Sequence, residues 1–331
     1  MRIAVAGLGW WGKQIIACLE KSSRFEVAMG VDPTPSADIE VFRKSHPFRL
    51  SRSLDDALSD RSIDGIVLAT PHALHEQQAL QVIAAGKNLF CEKPLTMTGE
   101  GAKRVVSACR RAGKVLGVGH ERRFEPAFEE VQRLVSEGAL GKILLLDSNV
   151  SHDNFSKLTQ DNWRLSPENA PAGMMTAVGI HMTDLFVKLA GPANEVRAHG
   201  ARFIFQPPAE DFVSADILFK SGAVGAFTSL SITPFYARFT IYGDVGWVEV
   251  ISEANVDQGK PTTLTHVDHK GRRSFVYEAT DTVTQNFEAW ADAIEGKTPY
   301  RFTDDELVEN IRVFEAIVKS TRRHGAAESL G

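Results

Sequence analysis

RIAVAGLGWWG, residues 2–12, is the stretch on which the fold turns. Ile3 to Ala6 is a short apolar, strand-like run that stops at Gly7. WWGKQIIACLEKSS follows, with Trp11, Ile15, Ile16 and Leu19 at helical spacing. The glycines therefore stand where a buried strand becomes a helix, and that context gives a Gly-x-Gly-x-x-Gly pattern its meaning. Gly7 permits the tight turn, Gly9 lets the backbone approach a pyrophosphate, and Gly12 lets helix and strand pack closely. Leu8, Trp10 and Trp11 complete the loop, behind which the helix N-terminus offers unpaired N–H groups to a diphosphate. Of the two tryptophans, one is expected to pack under the bound cofactor and the other to serve the core.

Working outward, FEVAMGVD reads as a second strand ending at Asp32, about 20 residues past the last glycine. A carboxylate there accepts hydrogen bonds from both ribose hydroxyls and repels a 2′-phosphate, which favours NAD over NADP. Two alternatives stand beside this: Asp32 as a plain turn residue before Pro33, and Arg43 or Lys44 reaching a 2′-phosphate if the intervening loop folds inward. Further strands are expected at Gly65 to Ala69, Asn88 to Cys91 and Val115 to Gly119. The helical patterns at His75 to Ala85 and Thr98 to Ala112 separate them. The alternation predicts an α/β Rossmann domain over residues 1–122.

The texture changes after Phe124. A helix at Phe128 to Glu137 leads to KILLLDSNVS, a polar stretch follows, and a helix resumes near His181 to Leu189. From Glu195 to Glu278 come strand-like runs with short turns and no long helical pattern, which predicts an antiparallel sheet. Helices return at Thr282 to Glu295 and Asp304 to Arg323. The expectation is an α+β domain over 123–331 with a large, mainly antiparallel open sheet, its C-terminal helix packing back on the first domain. An open sheet needs covering, so a homodimer or homotetramer is expected.

Composition narrows the function classes. With 331 residues the chain fits two domains, and 43% hydrophobic with 24% charged residues are the proportions of an ordinary globular protein. A formal net charge of −5 gives nucleic acid no electrostatic hold. No apolar run approaches the roughly 20 residues of a membrane span. The opening MRIAVAGLG has no export signal, and Cys18, Cys91 and Cys109 match neither a disulfide framework nor a zinc site, which points to the cytoplasm. Ten scattered histidines make no metal constellation, so no metal is expected.

Three further segments complete a pattern: Thr70-Pro71-His72-Ala73-Leu74-His75, Ala85 to Pro94 with Glu92-Lys93-Pro94 at its end, and Gly119-His120-Glu121-Arg122-Arg123-Phe124. With the glycine loop, they resemble the Gfo/Idh/MocA family of glucose-fructose oxidoreductase and inositol dehydrogenase. Trp163-Arg164 and Gly173 to Asp184 extend the resemblance into the second half. In open α/β sheets the ligand crevice lies beyond the carboxyl ends of the strands, where Thr70-Pro71 and Glu92-Lys93 would sit. A desolvated lysine there can exchange a proton with a substrate hydroxyl while hydride leaves the same carbon. Lys93 is thus the expected acid/base, against the bland reading of a surface lysine paired with Glu92.

The resemblance also implies a histidine in an Asp-x-Gly-x-His-like segment, near the lysine and the substrate. Here the segment is Ala177-Val178-Gly179-Ile180-His181, so His181 is retained and alanine replaces the aspartate. Asp184, one turn on, is either a partner of His181 or an ordinary helix residue. His75 is either a cofactor contact or a capping and packing residue, and Glu92 shapes the nicotinamide pocket. Arg123 is assigned to the cofactor and Arg164 to the substrate, each with a structural salt bridge as its alternative. His152 and Asp153 are exploratory candidates beside the reading of solvated loop residues.

The resemblance implies hydride transfer between NAD(P) and a secondary hydroxyl of a sugar, sugar acid or cyclic polyol. Two other readings stand beside it: a dinucleotide-binding sensor or regulator without redox activity, which Ala177 motivates and the retained Lys93 and His181 oppose, and internal redox on tightly held NAD supporting elimination, epimerisation or hydrolysis.

Overall fold

The computed structural model describes residues 1–159, 162–206 and 210–331. The chain forms two compact units: residues 1–121 with 283–304, and residues 122–282 with 305–331.

The first unit is built on six parallel strands: β1 (Arg2–Ala6), β2 (Glu26–Val31), β3 (Arg49–Ser51), β4 (Gly65–Leu68), β5 (Asn88–Cys91) and β6 (Leu116–Val118). The order is β3-β2-β1-β4-β5-β6, so the winding reverses between β1 and β4. Helices α1 (Trp10–Leu19), α2 (Ala37–Phe42), α3 (Leu54–Ser59), α4 (His75–Ala84) and α5 (Gly99–Ala112) lie in the connections. Every residue of β4 is buried, as a parallel strand covered on both faces must be. The sequence reading assigned nothing between Asp32 and Gly65. That interval holds α2, α3 and the three-residue β3, all too short for periodicity to reveal.

In the second unit, α6 (Pro126–Ser136) leads into β7 (Ile143–Ser151) and α7 (Ile180–Ala190). Strands β8 (Ala193–Ala201), β9 (Phe212–Phe219), β10 (Val224–Leu230), β11 (Tyr236–Gly243), β12 (Trp247–Ser252), β13 (Thr262–Asp268) and β14 (Gly271–Tyr277) follow. Two helices, α8 (Thr282–Ile294) and α9 (Asp304–Arg322), and a short β15 (Glu328–Ser329) end the chain. The nine-stranded sheet runs β14-β13-β12-β11-β7-β10-β9-β8-β15. It is antiparallel except where β7 lies parallel to β10, having been inserted between β10 and β11. Leu146, Val150, Ile217, Phe227, Phe239 and Val250 alternate into a buried face. Phe128 of α6 and Phe186 of α7 both pack on Phe239 there, with ring centroids 5.3 and 5.5 Å away. Along the opposite face Leu218 opposes Val224, and Tyr236, Tyr242 and Ile251 are exposed with them.

The two C-terminal helices divide between the units. It is α8 that belongs with the first unit, while α9 stays in the second. Trp290 of α8 is fully buried, meets Phe90 edge-on at 5.7 Å and donates Nε1–H to the Val115 carbonyl at 3.3 Å. Gly65 and Gly117 make room for it, since a Cβ on either would come within 2.8 Å of the indole. Phe287 adds a second ring, 4.1 Å from Phe90.

Candidate active site

The glycine loop closes the carboxyl end of β1. Gly7 has φ +90° and donates its N–H to the Val31 carbonyl at 2.8 Å. A Cβ on Gly12 would lie 1.8 Å from the Gly7 carbonyl oxygen, so turn and helix touch through backbone alone. A Cβ on Gly9 would meet nothing within 4 Å, which leaves the start of α1 open to a phosphate group. Asp32 follows β2 and accepts from the Leu8 N–H at 3.0 Å and the Thr34 N–H at 3.0 Å. It therefore ties the glycine loop to the end of β2 through the Leu8 N–H. Of the tryptophans, Trp10 is 55% exposed and Trp11 half-buried, with ring centroids 5.4 Å apart. Arg43, the alternative 2′-phosphate ligand, is paired with Glu40 at 3.0 Å and donates to the Phe48 carbonyl at 3.2 Å. Lys44 is exposed.

Thr70-Pro71 follows β4 and Glu92-Lys93-Pro94 follows β5, on adjacent strands paired Leu68 to Cys91. The Glu92 N–H continues that ladder to the Leu68 carbonyl at 2.8 Å. Glu92 is buried, and burial pushes its carboxyl above the ordinary range; the charge of Lys93 and the Lys93 N–H at 3.3 Å act the other way. Gly119 had no role in the sequence reading beyond its place in a motif. Its Cα faces Glu92, whose carboxylate would lie 2.3 to 2.5 Å from any Cβ there. Thr70 donates its hydroxyl to Gln78 Oε1 at 2.6 Å, a partner that motif spacing did not flag. Lys93 itself is half-buried.

His75, expected against the cofactor, is fully buried. Its Nδ1 lies 2.7 Å from the Pro94 carbonyl oxygen and its Nε2 2.9 Å from that of Thr70. Both ring nitrogens thus face backbone of the two loops.

In the second unit Arg123 makes the salt bridge that stood as the alternative to a cofactor contact. Arg123 is fully buried and gives two parallel hydrogen bonds to Asp184, Nε to Oδ2 at 2.6 Å and Nη2 to Oδ1 at 2.7 Å. A third goes from Nη1 to Glu306 at 2.7 Å, and Lys188 closes the network on Glu306 at 3.0 Å. Both Asp184 carboxylate oxygens thus accept from Arg123. His181 is buried in the first turn of α7, directly after a π-helical turn at Met175–Gly179 that contains Ala177. Such turns recur at functional sites.

Arg164 stacks on Trp163 with its guanidinium 4.3 Å from the ring centre. It lines a cavity of about 360 Å³ with Phe155, Gly173, Arg202, Glu210 and Arg322. Burial holds the Arg164 guanidinium below its ordinary pKa, and among the described residues no carboxylate pairs with it. Ala172, on the same wall, adopts a left-handed backbone with φ +53°. His152 is buried rather than solvated and its Nδ1 accepts the Asn154 N–H at 3.3 Å, while Asp153 pairs with Lys157 at 3.7 Å. Among the described residues no group of three or more His, Cys, Asp or Glu is placed to hold a metal ion. No helix among them is long and apolar enough to cross a membrane.

Residues 1–120 match the family described as "Oxidoreductase family, NAD-binding Rossmann fold", and residues 128–249 match the "GFO/IDH/MocA C-terminal domain". The chain is 29% identical over 280 residues to 1,5-anhydro-D-fructose reductase of Ensifer adhaerens, spanning 83% of each. It is 30% identical over 160 residues to scyllo-inositol 2-dehydrogenase (NADP(+)) of Bacillus subtilis, spanning 48% of this chain and 44% of the relative. Its fold matches levoglucosan dehydrogenase, solved with NADH and levoglucosan, with a TM-score of 0.86 at 20% identity over 100% of this chain and 99% of that one. An NAD-binding Rossmann domain followed by the companion C-terminal domain makes the chain a member of the GFO/IDH/MocA oxidoreductase family.

Proposed function

We propose that the protein is an NAD-dependent dehydrogenase that oxidises a secondary hydroxyl of a sugar, sugar acid or cyclic polyol, with Lys93 as the acid/base. The observation that carries this reading is the placement of three loops on adjacent strands. The glycine loop, Thr70-Pro71 and Glu92-Lys93-Pro94 follow β1, β4 and β5 at their carboxyl ends, beside the reversal of winding where open α/β sheets bind ligands. Bound there, NAD supplies the acceptor for the hydride that leaves the substrate carbon. Lys93 Nζ takes the proton of the hydroxyl on that carbon, giving a ketone and a protonated lysine, and runs in reverse for reduction. His181 and Arg164 are assigned to the substrate, Arg164 because a half-buried cation without a carboxylate partner among the described residues suits a substrate oxygen. Self-association through the exposed face of the nine-stranded sheet would cover Leu218, Val224, Tyr242 and Ile251. Light scattering is expected to return the mass of a dimer or tetramer, and a monomer would refute that part. Three free cysteines suit a cytoplasmic setting.

The test begins with mass spectrometry of any nucleotide released on denaturation. Titrations of the apoprotein with NADH and NADPH, then a panel of sugars, sugar acids and polyols, follow. NADH is expected to bind more tightly than NADPH. Asp32→Ala is expected to weaken NADH by roughly 10- to 100-fold, the worth of a charged hydrogen-bond acceptor, and to narrow the gap to NADPH. Stoichiometric NAD that survives purification would favour internal redox chemistry. Binding without turnover anywhere on the panel would favour the sensor reading that Ala177 raises.

A further inference from the structure

We propose that His75 is a positioning residue that fixes the backbone of Lys93 by donating its Nδ1–H to the Pro94 carbonyl. The inference rests on Lys93 being the acid/base of the reaction proposed above.

His75 is the first residue of α4, carries no exposed surface, and places its ring between the loops that follow β4 and β5. Both ring nitrogens face backbone carbonyl oxygens, Pro94 at 2.7 Å and Thr70 at 2.9 Å. A neutral imidazole has one N–H, so it can donate to one of them only. Burial and the charge of Lys93 both press His75 toward the neutral form. The tautomer therefore decides which loop is tied.

The surroundings favour Pro94. Thr70 has a second tie, through its hydroxyl to Gln78 at 2.6 Å, whereas the Pro94 carbonyl has His75. On the other side of Lys93, the Glu92 N–H is anchored to the Leu68 carbonyl at 2.8 Å. Lys93 is thus bracketed by two backbone hydrogen bonds, one from the sheet and one from the imidazole. A catalytic group displaced by about 1 Å can lose roughly 100-fold in rate, so the second bracket has kinetic weight.

Asparagine and glutamine separate the two ties, because the Asn amide nitrogen reaches the place of Nδ1 and the Gln amide nitrogen that of Nε2. His75→Asn is expected to keep kcat within about threefold of the wild type, and His75→Gln to lower it by roughly 10- to 100-fold, with KM and NADH affinity little changed in both. A readout independent of turnover is the pH dependence of Lys93 acylation by an amine-reactive ester, followed on the Lys93 peptide by mass spectrometry. That profile should move in His75→Gln and stay in His75→Asn. Equal losses in both variants, or a parallel fall in NADH affinity, would reduce His75 to packing and overturn the proposal. If the wild type turns over nothing on the panel, the dehydrogenase reading fails while the acylation profiles still decide the role of His75. Should both variants fail to fold, ¹⁵N spectra of the wild-type imidazole decide: a protonated Nδ1 is expected, and an Nε2–H tautomer would overturn the inference.

Discussion

Lys93→Met is expected to lower kcat by about 1,000-fold while NADH affinity stays within a few-fold, because a general acid/base contributes roughly 100- to 10,000-fold and methionine keeps the chain length without the amine. The side chain is half-buried after β5, so the substitution leaves an apolar stem of similar size and opens no large cavity. Its electrostatic effect is local. Glu92, whose carboxyl is already lifted by burial, loses the opposing charge of Lys93 and should rise further. Lys93→Arg should not rescue the rate, since a guanidinium holds its proton throughout the working range and cannot act as a base. Stopped-flow and steady-state rates on one substrate, beside NADH titrations, make the measurement. A methionine variant retaining more than a tenth of wild-type turnover would remove Lys93 from the chemistry.

What could be read from the residues depended on how far each contact reaches along the chain. The strand, glycine turn and helix of residues 2–19 are local, and they form as the spacing requires. Asp32 was read as a ribose ligand, and the structure shows a contact that spacing does not announce: it accepts the N–H of Leu8, 24 positions away. The α8 helix was recognised by its pattern, but nothing local says that Trp290 and Phe287 belong with Phe90. The same holds for the sheet of the second unit. Its strands alternate legibly, whereas the insertion of β7 between β10 and β11 depends on pairing across some 80 residues, Leu145 with Val224. His75 shows the limit most clearly. Its motif marked it as special, while the two carbonyls that define its role belong to Thr70 and Pro94, backbone groups that carry no side-chain signature.

Arg123 gives the second large effect, one of stability. Asp184→Ala is expected to destabilise the protein by about 3–5 kcal/mol, since it strands a buried guanidinium whose two best acceptors were the Asp184 oxygens. Glu306 still reaches Nη1 and keeps the loss within that range. Replacing the pair together, Arg123→Met with Asp184→Leu, should recover most of the stability, because a buried ion pair exchanged for well-packed apolar groups is often neutral. Denaturant midpoints for Arg123→Met, Asp184→Leu and the double variant close the cycle, and a double variant as unstable as the sum of those singles would show that the pair is not energetically coupled. The same series separates two uses of a carboxylate one turn beyond His181. If Asp184 acted through His181, Asp184→Asn would move the pH profile of kcat. Since both its oxygens are held by Arg123, the expected result is an unchanged profile with a lowered midpoint, which would place Asp184 in the core and leave His181 to be served by other groups.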